Sequence, residues 1–313
     1  MKIQFYKPTI SDISIKGILD SGILVNGEYT EALEQHFKYR FGVKYAIACA
    51  SGTTGLTIAI AASGYKNAYI GLPAFTWPST RYAIECNNCE PIYYDINKET
   101  WLMDRNEQIF FEPELLIAVD TFGNECRAYT DIPAIYDAAH GYGLPNLGHR
   151  GLAEVVSFAA TKSITGGQGG IILTNSKSIA TKAKELVLLY AKITEISALL
   201  CCKSIDAYQQ KQAVKERIIK AYRNQIKIPF KEQKIETFTN RSVYAVLLED
   251  KIIRDLVLKQ FDKIGIETKV YYKPLVDLEN TNYVYDRILC LPVYEQIEFH
   301  ESVITDAINK AIK

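Results

Sequence analysis

The sequence predicts an α/β protein: a mostly parallel sheet flanked by helices, followed by a smaller α+β unit. Two observations carry this expectation. Across the first two-thirds of the 313 residues, short apolar runs of strand length alternate with amphipathic helical stretches. From about residue 178 the pattern turns helical, with no proline between Pro145 and Pro229, and afterwards strand and helix signals mix again. The division is expected at 205/206, giving a large domain over 1–205 and a small one over 206–313. Such a chain is long enough for two domains of the usual size, roughly 100–200 residues each.

Each element has a local reason. Ser11 and Asp12 offer caps for a short helix ending near Gly22. Residues 28–41 set Leu33 and Phe37 on one face with charges between them, which reads as a helix. Residues 45–50 form an apolar strand running into the small-residue turn 51–55, and 56–63 read as the helix behind it. Strands are expected over 69–72, 91–95, 115–120, 134–137, 154–158 and 170–174. In the helical stretch, Val214, Ile218 and Tyr222 recur every four residues as one stripe. A strand over 243–248, a helix over 251–265, a strand-like run over 267–272 and a helix over 300–313 complete the chain.

Composition excludes several classes. Lys plus Arg and Asp plus Glu each number 36, so the formal net charge is zero, whereas a nucleic-acid binder shows a basic excess. The first residues lack the apolar core and cleavage site of a signal peptide, and no apolar run is long enough to span a membrane. Seven cysteines, an odd number without framework spacing, fit a reduced, cytoplasmic setting. Cys86 and Cys89 have CxxC spacing but no second pair, so buried thiols are expected there and not zinc.

Four features fall at predicted strand ends, where ligands gather in open α/β sheets. Ser51-Gly52-Thr53-Thr54 is a small-residue turn entering a helix, which suits a phosphate although it also reads as an ordinary capped turn. Trp77, after Pro73-Ala-Phe-Thr, is able to stack on a flat ligand. Asp137-Ala-Ala-His140 follows a strand directly, so its carboxylate and imidazole are placed to address two edges of a ring. Ser157-Phe-Ala-Ala-Thr-Lys162 brings a lysine before a glycine-rich stretch, Ser163 to Gly170, and a desolvated lysine forms Schiff bases. Together these describe the needs of pyridoxal 5'-phosphate: a lysine, a carboxylate for the ring nitrogen, a phosphate cradle and a surface for the ring.

The same residues resemble the sugar aminotransferases of the DegT/DnrJ/EryC1/StrS group, of the aspartate-aminotransferase type I fold. The resemblance runs from Ser21-Gly22 and Phe41-Gly42-Val43-Lys44 through Ser51-Gly52-Thr53, Asp137-Ala-Ala-His140 and Ser157 to Lys162. It continues to Gly169-Gly170, Tyr272-Lys-Pro-Leu275 and Ile288-Leu-Cys-Leu-Pro292. It implies that Lys162 binds the cofactor as an imine and shuttles the proton, and that Asp137 pairs with the pyridinium nitrogen. By the same likeness His140 would approach the phenolic oxygen, Trp77 would stack on the ring, and Gly52, Thr53 and Ser157 would hold the phosphate. The implied reaction moves an amine from an amino acid, glutamate by likeness, onto a nucleotide-linked keto-sugar through the pyridoxamine form. A homodimer with sites at the subunit interface is implied as well.

The chain departs from the family pattern where an Asn-Tyr-Arg-Met segment is usual: here Tyr190-Ala-Lys192-Ile-Thr-Glu-Ile196 stands, and the Glu before the paired glycines is Gln168. The alternative reading is therefore a cofactor-binding member with weakened or regulatory function. Lys162 argues against the relatives that carry histidine at that place. Arg81, Lys192, Lys269 and Lys273 are candidates for contact with a substrate diphosphate, each also readable as a solvated charge.

Overall fold

A computed structural model describes residues 2–8, 13–104, 112–127, 129 and 131–312. Ser11 and Asp12, the expected caps, lie outside them. The chain opens with α1 (Lys16–Ser21) and α2 (Glu28–Phe41), then β1 (Tyr45–Cys49) and α3 (Gly52–Ser63). Next come β2 (Tyr69–Pro73), α4 (Pro78–Glu85), β3 (Glu90–Tyr94), β4 (Leu115–Val119), β5 (Ala134–Asp137), β6 (Ala153–Ser157) and β7 (Gly170–Thr174). Three helices follow, α5 (Lys177–Tyr190), α6 (Glu195–Asp206) and α7 (Tyr208–Gln225), then β8 (Phe230–Glu232) and β9 (Tyr244–Leu248). The last elements are α8 (Lys251–Ile264), α9 (Glu279–Arg287), β10 (Ile288–Leu291) and α10 (Glu301–Lys310).

Seven strands form one sheet in the order β1-β7-β6-β5-β4-β2-β3. The β2/β3, β2/β4, β4/β5 and β5/β6 pairs are parallel, and β7 runs antiparallel to both of its neighbours. Helices cover both faces, which is why the central strands are buried along their length and mostly apolar, with Glu154 of β6 the paired exception. Ile47, Val155 and Ile172 pack with α3, α4 and α5 on one face, while Ala46, Val156 and Ile171 pack with α2 and α6 on the other. Neighbouring positions along a strand thus serve opposite layers.

A second core surrounds the antiparallel sheet β10-β9-β8. Val214, Ile218 and Tyr222, the stripe read from sequence, join Val246, Phe261, Ile304 and Ile308 there. Ile3 reaches this core as well and bridges to Ile266.

Two local expectations change. α3 begins at Gly52 and not near 56, because the Ser51 hydroxyl accepts the Thr54 amide in a reciprocal capping box and starts the helix early. The run 267–272 is not a strand: its backbone makes isolated bonds, the Glu267 amide to the Ile3 carbonyl at 2.7 Å and the Lys269 carbonyl from the Cys290 amide at 2.9 Å, and no continuous ladder. α4 and α9 were not legible as helices, although Pro78 sits in the first turn of α4, where proline is tolerated.

Buried charges fasten the layers. Arg150 bonds Asp120 at 2.7 Å and Glu154 at 2.6 Å, and all three side chains are buried. The Asp95 carboxylate accepts the Asn280 and Thr281 amides at 2.7 and 2.8 Å, capping α9 from the end of β3. Glu195 accepts the Gly27, Tyr29 and Thr30 amides at 3.0, 2.8 and 3.0 Å and the Thr30 hydroxyl, so the segment after Tyr190 caps α2.

Arg150→Met is expected to destabilise the fold by about 3–5 kcal/mol, because it strands two buried carboxylates. Urea unfolding measures this, and an unchanged midpoint would contradict the ion-pair argument.

Candidate active site

The carboxyl ends of the large sheet's parallel strands converge on a cavity of about 320 Å³. Gly52, Thr53, Trp77, Asp137, His140, Ser157 and Lys162, the seven residues singled out from the sequence, all line it. Their arrival follows from the topology. Ser51 lies between β1 and α3, Gly52 opens α3, Asp137 ends β5, Ser157 ends β6, and Lys162 follows β6 by five residues. Trp77 precedes α4, itself the element after β2.

The turn at the start of α3 is tightly enclosed. A Cβ added at Gly52 would lie 2.8 Å from the Ser157 Cβ, and one at Gly170 would lie 2.7 Å from the Ser51 carbonyl carbon. In the first turn of α3, Ser51 satisfies the Thr54 and Gly55 amides through its hydroxyl and carbonyl. The Gly52 and Thr53 amides have no intrahelical acceptor, so this end of the helix offers donors and positive potential to an anion.

At the other side of the cavity, the Lys162 Nζ lies 2.8 Å from His140 Nε2. His140 Nε2 is also 3.2 Å from the Tyr272 hydroxyl, and His140 Nδ1 is 2.8 Å from the Ser242 hydroxyl. Ser163 donates to Ser242 at 3.1 Å, which leaves the Ser242 proton for Nδ1. The imidazole then carries its own proton on Nε2, facing a neutral lysine amine. Burial, with the Lys162 and Lys215 charges, holds the His140 pKa well below its ordinary value. Burial also pulls Lys162 down to about 8, against an opposing attraction from Asp137.

Asp137 is the acidic counterpart. Its carboxylate accepts the Thr80 hydroxyl at 2.8 Å and the Ala139 amide at 3.2 Å. Burial raises its pKa, and the Thr80 hydrogen bond and the Lys162 charge oppose the rise. Trp77 stands at the rim, 55% exposed, edge-on to Tyr271 and Tyr272 at 6.1 and 6.3 Å.

Thr80 and Ser242 had no sequence signal as site residues, and Tyr272 stood in a segment that carried the resemblance without a role of its own. Thr80 meets Asp137 across 57 positions and Ser242 meets His140 across 102, distances at which no spacing rule operates. Arg81, Lys192, Lys269 and Lys273 do not line the cavity. Arg81 pairs with Glu85 and Lys269 with Glu267.

Residues 11–308 match the model of the DegT/DnrJ/EryC1/StrS aminotransferase family. The chain belongs to this family. An uncharacterized protein of Methanocaldococcus jannaschii is 26% identical, over 98% of this chain and 97% of that protein. Among solved structures, DesI in the presence of its TDP-sugar product has a TM-score of 0.86 at 23% identity, over 94% of this chain and 88% of that one. NtdA from Bacillus subtilis with bound cofactor PMP has a TM-score of 0.83 at 20% identity, over 95% and 80%. A DegT DnrJ EryC1 StrS aminotransferase from Brucella abortus has 0.82 at 21% identity, over 94% and 93%. These structures share the fold.

As a member of the DegT/DnrJ/EryC1/StrS family, the protein is an aminotransferase that uses pyridoxal phosphate. The cavity's residues fit that cofactor. An amine and a carboxylate are buried in the same cavity, and the enclosed turn at Gly52 has room for a backbone cradle but none for a side chain. Among the described residues, no helix is long and apolar enough to cross a membrane.

In cofactor-free protein, pH-dependent acylation of Lys162, read by peptide mass spectrometry, is expected to have its midpoint near 8. Asp137→Asn removes the attraction that favours the ammonium form, so the midpoint should fall further. A midpoint at the ordinary lysine value would contradict the buried-amine assignment.

Proposed function

We propose that the protein transfers an amino group from an amino acid, glutamate by family likeness, to a nucleotide-linked keto-sugar. The observation carrying this reading is that a buried amine, a buried carboxylate and an open helix N-terminus line one cavity. The TDP-sugar product named with DesI supports the choice of acceptor class.

Pyridoxal phosphate, when bound, supplies a carbonyl that takes up the amine and a conjugated ring that accepts the electron pair left at the substrate carbon. The chain's own residues supply the proton traffic. The Lys162 amine, neutral above about pH 8, is the base that removes a proton from that carbon and the acid that returns it. His140 orients the amine through its Nε2 and stays uncharged, so it does not compete for the proton. Asp137, braced by Thr80 and Ala139, offers an anion to a protonated ring nitrogen. The Gly52 and Thr53 amides and the Ser157 hydroxyl would hold the cofactor's phosphate, and Trp77 would lie against its ring.

The division into domains of 1–205 and 206–313 belongs to the same reading, supported by the separate core around β8, β9 and β10. A homodimer is supported by an exposed apolar surface. Leu24 and Val25 lie beside Thr194 and Glu195 through backbone bonds, and Leu24, Leu189 and Tyr190 are exposed.

Labelling, variant kinetics and light scattering test these points. Borohydride should fix the cofactor covalently on Lys162, and Lys162→Ala should abolish amine transfer while the circular dichroism spectrum stays native. Asp137→Ala should lower kcat by roughly 10²–10⁴-fold, far more than Thr53→Ala. Covalent labelling at another lysine would overturn the assignment. For the dimer, Leu24→Glu combined with Leu189→Glu should shift light-scattering mass from dimer to monomer, and a monomeric wild type with full activity would refute the interface.

A further inference from the structure

A second, smaller cleft adjoins the main cavity and shares Thr161 and Lys162 with it. Its other lining includes Lys7, Lys211, Lys215, Ser242 and Glu295. Lys211 and Lys215 stand one turn apart on α7, a like-charge spacing that costs helix stability without an anion nearby. Lys215 is 9% exposed, and among the described residues it has neither a hydrogen bond nor an ion pair. Lys211 reaches only the Ser204 hydroxyl, at 3.5 Å. Glu295 is the one carboxylate lining the cleft, and its buried Oε2 has no hydrogen-bond partner. One carboxylate cannot balance three lysines beside Lys162, and a buried ammonium without a partner is costly. Burial holds Lys215 down to about 8; the Glu216 charge opposes the shift without a contact, and the Lys211 charge adds to it.

The missing counter-charge is small. The cleft measures about 40 Å³, and one water needs about 10–15 Å³ on this scale, so a carboxylate fits and a nucleoside diphosphate does not. The cleft begins at the lysine that handles the amine. An amino acid whose nitrogen reacts beside Lys162 therefore brings a side chain of a few carbons within reach of it.

We propose that Lys211 and Lys215, with Lys7 at the exposed edge, bind the distal carboxylate of the amine donor and select a dicarboxylic amino acid. This assignment rests on the amino-acid-to-sugar reading above and adds the residues that choose the donor. Lys211 and Lys215 hold the carboxylate by charge-assisted hydrogen bonds, while Lys162 remains free for proton transfer.

The test separates the two half-reactions. Stopped-flow absorbance of the holoenzyme with amino acid alone gives the donor's apparent Kd. Calorimetry with maleate, an unreactive dicarboxylate, gives binding without turnover. Lys211→Met and Lys215→Met keep the apolar stem and remove the charge. Each is expected to raise the Kd of L-glutamate and of maleate by about tenfold or more, the effect of one charge-assisted contact. The Kd of L-alanine, which has no distal carboxylate, should stay unchanged. Unaltered glutamate and maleate binding in both variants overturns the assignment, as does an equal loss for alanine. A raised KM for the nucleotide sugar with donor binding intact also overturns it, and gives the lysines to the acceptor. If wild-type holoenzyme takes amine from no amino acid, the donor reading itself falls and this inference with it.

Discussion

The active site depends on how closely three strand ends approach one another. β1 and β6 finish where β7 begins, and the turn from β1 into α3 lies against Ser157 on one side and Gly170 on the other. No side chain fits between them at Gly52 or Gly170. This absence of side chains lets a helix N-terminus face the cavity directly, with its backbone donors bare. The antiparallel β7, sitting between β1 and β6, makes the approach possible: its first residue, Gly170, pairs with Cys49 and with Ser157.

Around that fixed frame the electrostatics are set by burial. Lys162 and Asp137 both lose hydration, and each is pushed toward its neutral form while the other's charge resists. The balance brings the amine's titration down to about 8 and moves the carboxyl's titration up from its ordinary value. The chain Ser163–Ser242–His140 fixes an uncharged imidazole against the amine. Tyr272 completes the shell, buried against Phe122 with ring centroids 5.2 Å apart.

Much of this was legible in the sequence, and the reasons are local. Apolar runs flanked by glycine and proline mark the strands, because strands covered on both faces are largely apolar. The functional residues sit directly after such runs, so strand prediction alone brought Gly52, Asp137, Ser157 and Lys162 to one edge of a sheet. What stayed hidden was set by distant pairing. Thr80 is an ordinary residue of a first helical turn until β5 delivers Asp137 to it. Residues 267–272 carry strand-forming side chains, yet beyond Lys269 they find no partner strand and instead line the cavity with Tyr271 and Tyr272. The start of α3 was misplaced because the cap at Ser51 outweighed the glycines that follow it.

The Asp95 carboxylate grips the first amides of α9 from the edge of the large sheet. Through Val284 the same helix packs with Ala245 and Leu247 of β9 and with Phe75 and Ile96 beside β2 and β3, so this one carboxylate ties the second core to the margin of the large sheet.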